Sequence, residues 1–70
     1  MRTSSQHSLQ RFRVDIHFFS GNDLYACETY RIDAPDWYRA EQQALQLSGE
    51  SAYDNSRIPD LRRTATSSLA

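Results

Sequence analysis

Lysine is absent, and all eight basic residues are arginine. A GC-rich coding sequence gives that bias without functional pressure; the functional alternative is bidentate recognition of carboxylate or phosphate. The nine acidic residues leave a formal charge of -1, which excludes a global positive field drawing the chain to nucleic acid or membrane. Cys27 is the single cysteine, so an internal disulfide framework and any Cys-x-x-Cys site are excluded. No apolar run approaches the roughly 18–20 residues of a membrane span, and Met1 to Gln10 lacks the apolar core of a signal peptide. The expectation is a cytoplasmic protein without cofactor or metal.

With 70 residues, 39% of them apolar, the chain is one small domain. Met1 to Ser8 has no periodicity, and Thr64 to Ala70 is small and polar. Both read as disordered tails, 1–8 and 64–70, around a single domain, 9–63. A core of this size supplies only about 3–5 kcal/mol of net stability unless something else contributes. Self-association into a homodimer is the natural extra source.

Arg11 to Phe19 alternates, with Phe12, Val14, Ile16 and Phe18 on one face and Arg11, Arg13, Asp15 and His17 on the other. That period of two, built from β-branched and aromatic residues, predicts a strand. Leu24 to Asp33 alternates again, with Glu28 as the misfit on its apolar face. A loop Gly21–Asp23 pairs Phe18 with Ala26, Val14 with Tyr30 and Phe12 with Ile32, and sets Phe19 beside Tyr25. A two-residue loop, Gly21-Asn22, would set Asp15 against Glu28 and split the apolar set between faces.

Asp33-Ala34-Pro35-Asp36 opens a helix, with Asp33 or Ala34 as its cap. Trp37 to Ser48 contains no breaker until Gly49, and Trp37, Ala40, Ala44 and Leu47 share one face. Trp37 and Phe18 are the aromatics assigned to the core. Ile58 and Leu61 flank Pro59-Asp60, so Arg57 to Thr64 reads as a short edge strand. The fold expectation is α+β: ββαβ, an antiparallel three-stranded sheet of order 3-1-2 packed on one helix.

The hairpin, the Asp33-Ala34-Pro35-Asp36 helix start and the spacing of Ala40-Glu41 and Ala44-Leu45 together resemble small uncharacterised ββαβ proteins of bacteriophage and prophage genomes. The likeness spans about Arg11 to Leu47 and is architectural. It implies the fold and a phage-like origin, and it implies no activity and no functional residue. The relatives usually carry Ser or Thr in place of Ala34, and acidic residues in place of Trp37 and Tyr38.

Four constellations carry candidate chemistry. His17 and Cys27 face each other beside Asp15, the row a thiol nucleophile with its base would use. A flat hairpin face supplies neither oxyanion donors nor a pocket, and at most three metal ligands. Arg11, Arg13, Arg31, Arg62 and Arg63, with Phe19 and Tyr25, could form an arginine and aromatic sheet face for single-stranded nucleic acid. Glu28 and Glu41 fall toward the core side, where glutamates usually snorkel or meet an arginine. Finally, Phe19, Tyr25, Cys27, Thr29, Arg31 and Tyr38 offer an interaction surface for a protein partner or a second copy. The leading expectation is a non-enzymatic protein-interaction module, and the alternative is a weak single-stranded nucleic-acid binder.

Overall fold

The computed structural model describes residues 8–70. The expected tail 1–8 lies outside them except for exposed Ser8. Strand β1 spans Gln10–Ser20, β2 Asp23–Ala34, helix α1 Trp37–Ser48 and β3 Leu61–Leu69. The strands form one antiparallel sheet in the order β2-β1-β3, with α1 packed on one face. This is the expected ββαβ arrangement. β1 is central because it is the most apolar strand: Phe12, Val14, Ile16 and Phe18 are all buried. Full burial of such side chains contributes about 1.5–3 kcal/mol each.

The β1–β2 register has the expected pairs Phe12↔Ile32, Val14↔Tyr30, His17↔Cys27 and Phe18↔Ala26. The turn differs. Phe19 pairs with Leu24 and Ser20 with Asp23, so the loop is Gly21-Asn22 and Tyr25 is an extra, bulged residue. Gly21, at φ 59, is the first-position glycine that tight hairpins require. The bulge absorbs the one-residue slip that would otherwise put Asp15 opposite Glu28.

Three further expectations are corrected. The helix cap is Asp36, which is extended (φ -153, ψ 168) and accepts from the Arg39 amide at 2.8 Å. Pro35 holds Ala34 in the extended region, so β2 runs on to Ala34 instead of yielding it to the helix. The inward face of α1 is Ala40, Ala44 and Ser48, whereas Trp37 is 57% exposed and Leu47 46%. The alanines let the helix axis approach the sheet, and Ser48 tolerates burial because its hydroxyl donates to the Leu45 carbonyl at 2.7 Å and accepts from Arg63 at 2.9 Å. Third, β3 lies at Leu61–Leu69 rather than Arg57–Thr64, and 64–69, expected as a disordered tail, pair with β1 from Phe12 to His17. Pro59-Asp60 is a turn before the strand, with Asp60 at φ 52, a conformation Asp accepts more readily than most residues. Period two runs through β3, with Leu61, Ala65 and Ser67 half-buried and Thr64 and Thr66 exposed.

The two ends of the sheet are finished differently. At the Phe18 end, Ser20 Oγ donates to the Pro59 carbonyl at 2.7 Å, Gly21 N donates to the Asp60 carbonyl at 2.9 Å, and Arg62 Nη2 donates to the Gly21 carbonyl at 2.6 Å. Tyr25, Tyr53 and Phe18 form a ring cluster with centroids 5.7–6.3 Å apart, and the Tyr25 hydroxyl donates to the Tyr53 carbonyl. At the Phe12 end α1 is only starting. A helix of 12 residues is about 18 Å long, roughly half the span of β1.

Candidate functional site

Among the described residues, nothing covers the sheet face away from α1. Strand alternation and the registers place Arg11, Arg13, Asp15, His17 and Phe19 of β1 on it. Cys27, Thr29, Arg31 and Asp33 come from β2, and Arg62, Thr64, Thr66 and Ser68 from β3. Most of its charge is used internally. Arg11 binds Asp33 through two bonds, 2.8 and 3.0 Å, which raises the Arg11 pKa and holds the Asp33 carboxyl below its ordinary value. Asp15 is held low first by the Thr29 hydroxyl at 2.7 Å and then by Arg13 at 3.2 Å. Arg62 stacks its guanidinium over Phe19, 5.5 Å from the ring centroid. Arg13 lies opposite Arg31.

The expected arginine face therefore keeps Arg11, Arg13, Arg31 and Arg62 and loses Arg63. Arg63 pairs with Phe18 in the ladder and so points to the helix side. There it reaches Ser48 Oγ at 2.9 Å, the Leu45 carbonyl at 3.3 Å and Asp54 at 3.8 Å, satisfying the C-terminal end of α1. The expected interaction surface also divides. Phe19, Cys27, Thr29 and Arg31 share the uncovered face, but the bulge turns Tyr25 toward Phe18 and Tyr53. Tyr38 stands exposed on α1, edge-on to Trp37 at 6.0 Å.

His17 and Cys27 are directly opposite, as expected, but the hydrogen bonds of Asp15 go to Thr29 and Arg13. Cys27 is exposed, and among the described residues no cluster of three or more His, Cys, Asp or Glu could hold a metal ion. Glu28 and Glu41 are half-buried on the helix side at opposite edges, each held by a hydroxyl. Tyr30 donates to Glu28 at 2.8 Å and Ser67 to Glu41 at 2.7 Å. Burial first, then the Glu28 bond and charge, push the Tyr30 hydroxyl up to about 12.

Two bonds fix which backbone groups face outward at the sheet edges. The Ala70 amide donates to the Arg11 carbonyl and the Gly21 amide to the Asp60 carbonyl. Antiparallel ladders alternate bonded and non-bonded pairs, so Arg62, Thr64, Thr66 and Ser68 turn their backbone groups toward β1. Leu61, Arg63, Ala65, Ser67 and Leu69 turn theirs outward. The same phase on the other side turns Cys27, Thr29, Arg31 and Asp33 outward from β2. Among the described residues no strand pairs with either outer edge. Beside the β3 edge, under the start of α1, lies an open groove of about 700 Å³ lined by Phe12, Pro35, Trp37, Glu41, Ser67 and Leu69 among others. Trp37 and Leu69 are 57% and 66% exposed there. The groove was not expected from the sequence; β3 was expected at this edge, but at Arg57–Thr64 rather than Leu61–Leu69. The available signal was the alternation Leu61, Ala65, Leu69 against Thr64 and Thr66.

Comparison with family models, with curated proteins and with solved structures finds no match. Among the described residues no helix is long and apolar enough to cross a membrane.

Proposed function

We propose that the chain is a small non-enzymatic interaction module that engages an extended protein segment along a sheet edge. The carrying observation is the outward row of β3 backbone groups beside an apolar groove. Main-chain bonds along such an edge supply affinity, and a neighbouring pocket for alternate side chains supplies selectivity. Trp37, which lines the groove with Leu69 and is exposed, is of the residue type enriched at interfaces.

The test is a displayed library of random extended peptides, with binders mapped by amide shifts on the labelled chain. Shifts confined to β3 and the groove are expected. Recovered binders that map only to the outer face of α1, or a library that yields none, would sink the reading.

A second reading rests on Arg13 and Arg31, opposed on the uncovered face where like charges repel. An anionic strand laid across that face would relieve them, with Phe19 as a stacking ring. Oligothymidylate anisotropy checks it: binding should weaken linearly in a log–log plot against salt. A flat salt dependence removes it.

A further inference from the structure

The free edges differ in ways that single out both an edge and an occupant. β2 carries a bulge at Tyr25 and the charged Glu28, Arg31 and Asp33 along its length. Bulges and charges are what natural sheets use to discourage edge pairing. β3 has no bulge in its register. Its charges, Arg62 and Arg63, sit at one end, and Thr64 to Leu69 carry none.

We propose that the occupant of the β3 edge is the β3 edge of a second copy, paired antiparallel about a two-fold axis near Ala65. This rests on the edge-binding reading above and names its partner. Both strands present Leu61, Arg63, Ala65, Ser67 and Leu69 outward, so a two-fold through Ala65 pairs Leu61 with Leu69, Arg63 with Ser67 and Ala65 with itself. All these residues lie on the helix side, so the result is a continuous six-stranded sheet with both helices on one face. Two-fold pairing is self-complementary by construction.

The charges fit. Within one chain the Ser67 hydroxyl holds Glu41, so the pairing brings the basic end of one copy, at Arg63, to the carboxylate of the other. Asp54, at 3.8 Å from Arg63, is the only acidic group within salt-bridge distance of it among the described residues. The two arginine ends also stay at opposite ends of the seam. The shapes fit as well. Leu61 of the second copy arrives beside Leu69, which lines the groove together with Trp37. The corresponding pairing of β2 edges about Tyr30 would place Glu28 opposite Ile32 and gains no such groove.

The test is hydrogen exchange on the full-length chain together with sedimentation equilibrium from micromolar to millimolar concentration. The expected result is a mass rising toward twice 8.1 kDa. In parallel, the outward amides of Arg63, Ala65 and Ser67 should become at least tenfold more protected with concentration, while those of Cys27, Thr29 and Arg31 stay unprotected. Ala65→Pro deletes an outward donor and no bond to β1, so it should abolish the dimer, and Thr29→Pro on the other edge should leave it intact. If either proline variant unfolds, the exchange pattern of the unmodified chain still decides. A dimer protected at β2 overturns the assignment to β3. A chain that stays at 8.1 kDa throughout overturns self-association, whereas peptides mapped to β3 would still uphold the edge-binding module.

Discussion

The two ends of the sheet use similar residues to opposite effect. At the Phe18 end, aromatic rings are tied to backbone: Tyr25 and Tyr53 close over Phe18, while Ser20, Gly21 and Arg62 lash the hairpin turn to Pro59 and Asp60. Phe18 is wholly buried there. At the Phe12 end, Trp37 and Tyr38 touch each other edge-on, and Trp37 lines a groove that the described residues leave open. The difference teaches that aromatic content alone does not measure a core. A ring becomes structural where a loop returns to cover it, and it becomes available surface where the covering helix has only begun.

That contrast can be broken most directly by truncating one ring at each end. Phe18→Ala should cost about 3–5 kcal/mol in urea unfolding, whereas Trp37→Ala should cost under about 1 kcal/mol. Equal losses would mean that the Phe12 end is closed after all. Between the ends, Ala40 and Ala44 bury the helix against the core. Ala44→Leu should overpack that contact and cost about 1–3 kcal/mol, while Gln43→Leu, on the exposed side, should change stability by under about 0.5 kcal/mol. Comparable effects would show that the buried stripe is not Ala40, Ala44 and Ser48.

The open end depends on its cap. Asp36→Ala should lower stability by about 1 kcal/mol, and Asp36→Asn, which keeps an accepting oxygen, should recover most of it. A loss in both variants alike would mean that charge rather than the hydrogen bond matters there. The smallest effects are in pH. The Tyr30 pKa is raised by folding from 10.0 to about 12. The stabilisation is therefore complete below the unfolded value, near 10, and is lost as pH rises toward 12. Tyr30→Phe should flatten that alkaline limb of a melting-temperature profile. Asp15 and Asp33 are shifted the other way. Their contribution is present above the unfolded pKa, about 3.9, and fades as pH falls below it; Asp33→Asn should flatten the acid limb.

How much of this was legible follows from where side chains are large. The β1–β2 pairing from Arg11 to Phe18 could be read because four bulky residues alternate in one strand and find apolar partners in the next. The span of α1 could be read from the Pro35-Asp36 start and the stop at Gly49. The turn could not, because sequence pattern shows the faces of a strand but not an inserted residue, and a bulge at Tyr25 changes the loop while preserving every pair beyond it. β3 was misplaced because Thr64 to Ser68 are small. Such residues pair through their backbone while burying little, so the hydrophobic signal that marks strands is faint just where the ladder is complete. The orientation of α1 was off by part of a turn because Trp37 was weighed by its size, whereas Ala40, Ala44 and Ser48 are inside by reason of their smallness. Arg62 and Arg63 are neighbours in one strand and so point to opposite faces; once the ladder runs through both, only one of them can belong to the uncovered face. The outward amides depend on hydrogen-bond phase and the groove on where α1 begins over the sheet, neither of which a residue type announces.

The pairing of Phe12 with Leu69 also sets an order of events in time. β1 and β2 are joined by a two-residue turn, and such hairpins close in about 1–10 μs. β3 must return across the helix and its following loop before its first bond to β1 forms, so its docking bears nearly all the loop-closure entropy. The Gly21–Asp60 bond is the place where that search is shortest, so zipping from there toward Leu69 is the expected order. Substitutions in β3 beyond Ala65 are therefore expected to quicken unfolding and leave the folding rate almost untouched, which a chevron plot of Leu69→Ala checks.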